Sequence, residues 1–176
     1  DCWQWGVSAA WYPAEGQSII LQAANSPFSY DEAGLFAYNA AWRGEWDFYE
    51  SYWTANLWEF EAGKYTKALN FGNRFLLGNL TLDLEYMTRA VSTTKLSKDN
   101  FNVMVAPAYK VSDRLKVLGK FGWEYVAADL PYELAYEEYS GGDYYHYGGG
   151  VEFYPFQDVE GVRLHAIWAG NNFGDS

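Results

Sequence analysis

The residues that could do chemistry in this sequence are charged side chains that recur at every second position. Asp83, Glu85 and Arg89 share one parity, and Arg74 precedes them across a short Gly-Asn turn. Acids and bases that face each other across such a hairpin can form lateral salt bridges. They can equally line a water-filled pore, where fixed charges bias which solutes pass. The residues alone leave both interpretations open.

Patterns typical of catalysis are absent from the sequence. It contains no GxSxG, no HExxH and no glycine-rich phosphate loop. The histidines, His146 and His165, have no carboxylate or thiol at metal-ligand spacing, and the glycines of "YGGGVEFY" are typical of a kink in a strand. We therefore expect no enzymatic activity, no metal site and no cofactor.

Composition narrows the function classes further. The net charge of −11 argues against a nucleic-acid partner, because binding to phosphates needs a basic surface. Aromatic residues make up 20% of the chain, with 9 Trp and 16 Tyr, and these two side chains favour boundaries between water and an apolar phase. No run approaches the roughly 18 to 20 apolar residues that a membrane-spanning helix requires.

The elements that must position the charged residues are β-strands. Apolar and polar residues alternate with period two, the strand signal, in ten runs: 3–12, 18–25, 35–43, 46–58, 65–77, 80–90, 101–110, 115–126, 144–154 and 162–170. Most of these runs exceed the ~5 to 6 residues of an average strand and approach the ~9 to 11 residues that span a membrane in a barrel. We predict an all-β chain with at least ten strands.

The connections between the runs alternate in length. Short turns are expected at 13–17, 44–46, 78–79, 111–114 and 155–161, and longer polar connections at 26–34, 59–64, 91–99 and 127–143. Outer-membrane barrels combine short periplasmic turns with long extracellular loops. This alternation predicts an antiparallel transmembrane β-barrel.

Parity then assigns the two faces of the strands. Aromatic residues near the strand ends favour lipid contact for the apolar parity, which includes Leu80, Leu82, Leu84, Tyr86, Val103, Val105, Val117 and Phe121. The other parity supplies the candidate pore-lining residues, which are Arg43, Glu50, Arg74, Asp83, Glu85, Arg89, Lys116, Lys120, Glu124 and Arg163. A soluble β-sandwich or barrel that binds an apolar ligand would bury the leucines and wet the charges, and it stays the alternative.

Several segments resemble porins of the Bacteroidetes, which are similar to the phosphate-selective porin O and P family. They are "QAANSPF" (22–28), "LDLEYMTRA" (82–90), "GGGVEFYPFQDVEGVRLHAIWAG" (148–170) and the long segment 35–75. The resemblance implies a 16-strand-class barrel, a homotrimer, and passive diffusion of small hydrophilic solutes through the outer membrane of a Gram-negative cell, in contact with its lipid and lipopolysaccharide. It does not extend to phosphate preference, because the arginine and lysine ladders behind that preference have no matching residues here.

The domain prediction follows from length and resemblance together. Family members are about twice as long, so we expect residues 1–176 to form a single, partial barrel domain from the C-terminal part of such a porin. The start of the sequence lacks a signal peptide, so we expect a mature chain or a fragment. A barrel that serves as a structural platform for another outer-membrane protein is the alternative function within the same fold.

Overall fold

The computed structural model describes residues 6–26, 34–91, 100–126, 142–156 and 162–173. They form β1 (Gly6–Trp11), β2 (Gln17–Asn25), β3 (Phe36–Trp46), β4 (Tyr49–Glu61), β5 (Lys64–Leu77), β6 (Leu80–Val91), β7 (Asn100–Ser112), β8 (Leu115–Val126), β9 (Gly142–Phe153) and β10 (Leu164–Phe173). Within these ranges, no helical segment has the length and apolarity needed to cross a membrane. The all-β prediction and its ten strands are confirmed.

The strands hydrogen-bond in sequence order, from β1 through β10, in an antiparallel sheet. The chain divides into two compact units. Unit 1 contains Asp1–Trp46, Glu50–Gly72 and Tyr86–Phe101, and unit 2 contains Asp47–Tyr49, Asn73–Glu85 and Asn102–Ser176.

The register confirms that alternate residues share a face. In unit 1, Ala9 lies opposite Leu21, which lies opposite Ala40. In unit 2, Val117 lies opposite Val151, while Lys116 and His165 both lie opposite Glu152, on the other face. In each unit, we call the side of Leu21 or Val117 the apolar face and the opposite side the polar face.

Several large side chains of the apolar face are exposed rather than packed in a core. Leu21 is 55% exposed, Phe121 51% and Trp168 64%, whereas the buried apolar residues of the described chain are few and mostly small. A water-soluble sheet hides such side chains, and a large exposed apolar surface marks contact with another apolar phase. This exposure argues against the soluble sandwich.

One short turn lies further along the chain than expected. Residues 44–46 belong to β3, and the turn consists of Asp47 and Phe48. The N–H of Glu45 donates to the carbonyl of Gly16 at 2.8 Å, so the pairing of β3 with β2 continues past the glycine that suggested a turn. The turn at 78–79 lies where expected, with Gly78 at φ 63°.

The long connection expected at 59–64 is wrong. β4 continues to Glu61, β5 begins at Lys64, and a tight turn with Gly63 at φ 76° joins them. The polarity of this segment reflects hydrogen bonding at the strand ends: the Glu59 carboxylate accepts the N–H of Gly63 at 2.8 Å. The strict alternation of short and long connections therefore fails here. Residues 27–33, 92–99, 127–141 and 157–161 of the other predicted connections lie outside the described residues.

Candidate functional site

The hairpin of β5 and β6 carries an ion pair on the polar face of unit 2. Arg74 binds Asp83 through two parallel hydrogen bonds, from Nε to Oδ1 at 2.7 Å and from Nη2 to Oδ2 at 3.1 Å. This bidentate geometry confirms the predicted lateral pairing across the turn. Glu85 and Arg89, predicted to join the same ladder, also interact within the chain.

A second group of charges, the Glu152 cluster, consists of Lys116, Glu152, Tyr154 and Arg163. Lys116 Nζ lies 3.7 Å from one oxygen of Glu152, and Arg163 Nη1 lies 3.4 Å from the other. The hydroxyl of Tyr154 donates to Glu152 at 2.9 Å, and its ring centroid lies 6.0 Å from Lys116 Nζ. Two cations thus share one carboxylate, which leaves the cluster with a net positive charge.

A third group, the His146 cluster, joins three neighbouring strands through one imidazole. Nδ1 of His146 lies 2.9 Å from Oδ1 of Asn171, and Nε2 lies 3.4 Å from Oε2 of Glu124. These contacts could not be predicted from the sequence, since both partners come from other strands. Among the described residues, no three side chains of His, Cys, Asp or Glu come together to hold a metal ion.

The three lysines near the β7–β8 turn do not form one group. Lys110 pairs with Asp113 at 2.8 Å, and this hydrogen bond together with the ammonium charge lowers the pKa of the Asp113 carboxyl. Lys116 belongs to the Glu152 cluster. Lys120 is exposed opposite Gly148, and in the described part of the chain no side chain pairs with it. Within the described residues, Lys120 is therefore an exposed, unpaired charge of the polar face.

The polar face of unit 1 is less charged along its middle. Asn39 donates a side-chain hydrogen bond to Asn56, and the Asn56 amide lies 3.4 Å from the hydroxyl of Thr54. Nearer the turn between β3 and β4, Arg43 pairs with Glu45 at 2.5 Å on the same strand. Glu50, also predicted to line the pore, is half-buried and interacts within the chain.

The residues predicted to contact lipid lie on the apolar parity of their strands. Leu80, Leu82, Leu84 and Val105 are half-buried, whereas Val103, Val117 and Phe121 are exposed. Tyr86 stacks on Phe71, with ring centroids 6.2 Å apart. Their contact with lipid itself stays a prediction.

Sequence reasoning missed a buried polar network at the end of unit 1 that carries the connections from β2 to β3 and from β4 to β5. The Glu59 carboxylate accepts the N–H of Phe36 at 3.1 Å in addition to that of Gly63. The hydroxyl of Ser26 donates to the Glu59 carbonyl at 2.5 Å, and both residues are buried. One carboxylate therefore fastens β3 to the β4–β5 hairpin. The segment "EFEAGK" contains two acids, Glu59 and Glu61, and the sequence does not show which of them accepts hydrogen bonds from the backbone.

Comparisons with known proteins bear on the fold. No family model and no curated protein matches the chain. Among solved structures, OmpT, an outer membrane protein of Vibrio cholerae folded in vitro, aligns with a TM-score of 0.64 and 14% sequence identity. The chain has the fold of an outer-membrane β-barrel protein. The alignment covers 95% of this chain and 53% of OmpT, so the chain spans about half the length of the structure that it matches.

Proposed function

We propose that the chain forms part of an outer-membrane porin, in which small hydrophilic solutes and ions diffuse passively past the polar face. The observation that carries the proposal is the division of the strands into an apolar face with exposed large side chains and a face with clustered charges. In a transmembrane barrel, the first face contacts lipid and the second lines the interior.

The charged clusters are suited to a wet interior. Arg74 and Lys116 keep about half and a third of their side chains exposed, although each is paired. Charges that are isolated from water cost much free energy unless they are fully paired. Partly exposed pairs, together with the exposed Lys120, therefore suit a water-filled lumen whose fixed charges act on passing ions.

The wider assignment rests on the resemblance to Bacteroidetes porins. On this ground we propose a homotrimer in the outer membrane of a Gram-negative cell, in contact with lipid and lipopolysaccharide and similar to members of the porin O and P family. No catalytic step is part of this function. The fold of OmpT supports the outer-membrane location.

One observation favours a second function, a closed barrel that acts as a structural platform for another outer-membrane protein. In unit 1, polar side chains are buried at the end that carries the β4–β5 turn, the end of β2 and the start of β7: Ser26, Glu59, Thr66 and Asn100 are each less than a tenth exposed. Dense packing at one end narrows the access of solutes to a lumen.

Planar bilayer recording of the purified protein separates the two functions. A porin produces stepwise conductance, whereas a closed platform inserts without steps. Lys120→Glu should make the pore more selective for cations, because it reverses an exposed charge of the polar face. The reversal potential in a salt gradient measures this selectivity. Lys64→Glu, the same charge change beside the β4–β5 turn, should shift it much less. A protein that is monodisperse in buffer without detergent would contradict both membrane functions.

A further inference from the structure

The apolar face of unit 1 contains a groove of about 760 Å³ that crosses β1 to β5. Each of the five strands contributes three consecutive residues, of which the first and third lie on the apolar parity. Ala40 and Ala55 form part of its floor, while Leu21 and Tyr38 are bulkier. The short alanine side chains leave the space that the larger neighbours enclose.

The position of the polar residues shows that the groove opens on the apolar face. Asn39 and Asn56, the middle residues of their triplets, hydrogen-bond to each other through their side chains. Their side chains lie on the polar face, so on the opposite face the groove contacts only the backbone of these middle residues, between the two apolar-face residues of each triplet. The lining is consequently almost entirely apolar.

A row of aromatic rings runs along the neighbouring positions of the same face. The ring centroids of Trp42 and Trp53 are 5.6 Å apart, and those of Trp53 and Phe71 are 5.2 Å apart. Trp42, Trp53 and Phe71 each lie two residues beyond a groove residue, Ala40, Ala55 and Leu69. This row gives the groove a tall, rigid side, against which a hydrocarbon chain can pack.

Lys67 is the one charged residue among the fifteen that line the groove. It is three residues from Lys64, the first residue of β5, and therefore lies near the strand end. A lysine near the end of a membrane strand can extend its ammonium group to the level of the lipid headgroups. Lys67 also interacts within the chain, but an ammonium group has three donors and can bind a phosphate beside an internal partner.

We propose that this groove binds a membrane lipid with an anionic, phosphate-bearing headgroup, with one acyl chain in the groove and the phosphate at Lys67. Four strand spacings of ~4.8 Å give the groove a length of roughly 19 Å, enough for much of an extended acyl chain. The inference rests on the proposed membrane location of the barrel and adds a specific lipid site to it.

Native mass spectrometry of the purified protein tests the site, with two probes added to lipid-free detergent micelles. The probes are dioleoyl phosphatidylglycerol and dioleoylglycerol, which share acyl chains but differ in the phosphate. Lys67→Gln should lower retention of phosphatidylglycerol several-fold and leave that of dioleoylglycerol unchanged. Ala40→Phe should lower retention of both, because the ring fills the groove.

Two control variants match these changes. Lys64→Gln removes a neighbouring cation that does not line the groove, and Ala166→Phe adds the same ring to the apolar face of β10, in unit 2. Both should retain lipid as the unaltered protein does. Lys67→Gln keeps a polar side chain and adds no bulk to the groove, so it keeps the test decisive if Ala40→Phe does not fold.

Equal retention of phosphatidylglycerol by Lys67→Gln and by the unaltered protein would overturn the site. So would an Ala40→Phe variant that loses oligomers rather than lipid, since a second copy of the chain would then occupy the groove. Conductance of the same preparations in planar bilayers distinguishes failure of the lipid site from failure of the proposed porin function. Conductance without lipid retention overturns the lipid site alone, whereas lipid retention without conductance supports the site and contradicts the porin.

Discussion

Glu59 in β4 and Glu152 in β9 are both well-covered carboxylates, but they are held in different ways. Glu59 accepts backbone N–H groups from Phe36 and Gly63. Glu152, whose side chain is 12% exposed, has two cationic side chains and a tyrosine hydroxyl as partners. The Glu59 carboxylate therefore binds the backbone, whereas the Glu152 carboxylate binds long side chains on the polar face.

Because of this difference, we expect Glu59 to contribute mainly to the stability of the fold and the Glu152 cluster mainly to the electrostatic potential of the polar face. Backbone amides are fixed by the strands, so a carboxylate that accepts them ties those strands together, and its removal leaves buried donors without acceptors. Lysine and arginine are flexible and remain partly hydrated in the Glu152 cluster, where ion pairs add little stability. Under the proposed function, their charges nevertheless act on every ion that passes the polar face.

Glu59→Ala should therefore give the largest loss of stability. The N–H groups of Phe36 and Gly63 would lose their acceptor, and the melting temperature should fall by several degrees. The heat-dependent shift in gel mobility of the detergent-solubilised protein measures it. Glu61→Ala is the control, because Glu61 pairs with Lys64 on the surface and should have little effect. Equal losses in both variants would contradict the comparison.

Glu152→Gln should change ion selectivity more than stability. Lys116 and Arg163 would keep their charges without a counter-charge, so the permeability ratio of anions to cations should rise several-fold in a salt gradient. The loss of unfolding free energy should stay at about 1 kcal/mol or less, because both cations are substantially exposed. If the melting temperature fell as far as in Glu59→Ala while selectivity stayed constant, the roles would be reversed.

Substitution of Asp113 should show the smallest effect, one that disappears in acid. Lys110 lowers the pKa of Asp113 in the folded protein, below the unfolded value of ~3.9. This pair therefore stabilises the fold above the unfolded pKa, and the contribution disappears as pH falls through the lower folded value. Asp113→Asn should match the unaltered protein in strong acid and differ slightly at neutral pH. A difference that grows toward acid would contradict this sign.

Strand positions and faces could be predicted because one physical rule, alternation, determines both. The run predicted at 115–126 coincides with β8, and the turn at Gly78 is present where expected. The bidentate contact of Arg74 with Asp83 was also predictable, since a tight turn fixes the register of its own hairpin.

Contacts across connections longer than a two-residue turn were not predictable, because the sequence does not show the register of the strands that they join. The pairing of Lys116 and Arg163 with Glu152 depends on the alignment of β8, β9 and the start of β10. Glu59 escaped notice for another reason: its partners are backbone groups, which carry no residue identity. The prediction of a loop at 59–64 was wrong for a related reason: polar composition does not distinguish a loop from a strand end whose side chains hydrogen-bond to the backbone.

The order of the sheet also has a consequence for how the protein folds. Each strand from β2 to β10 hydrogen-bonds to the strand that precedes it in the chain. Closing the β5–β6 hairpin over its two-residue turn costs little chain entropy, whereas pairing of distant segments would have to close a long loop first. The sheet can therefore grow by addition of one neighbouring strand at a time, and a completed hairpin can serve as the template for the next.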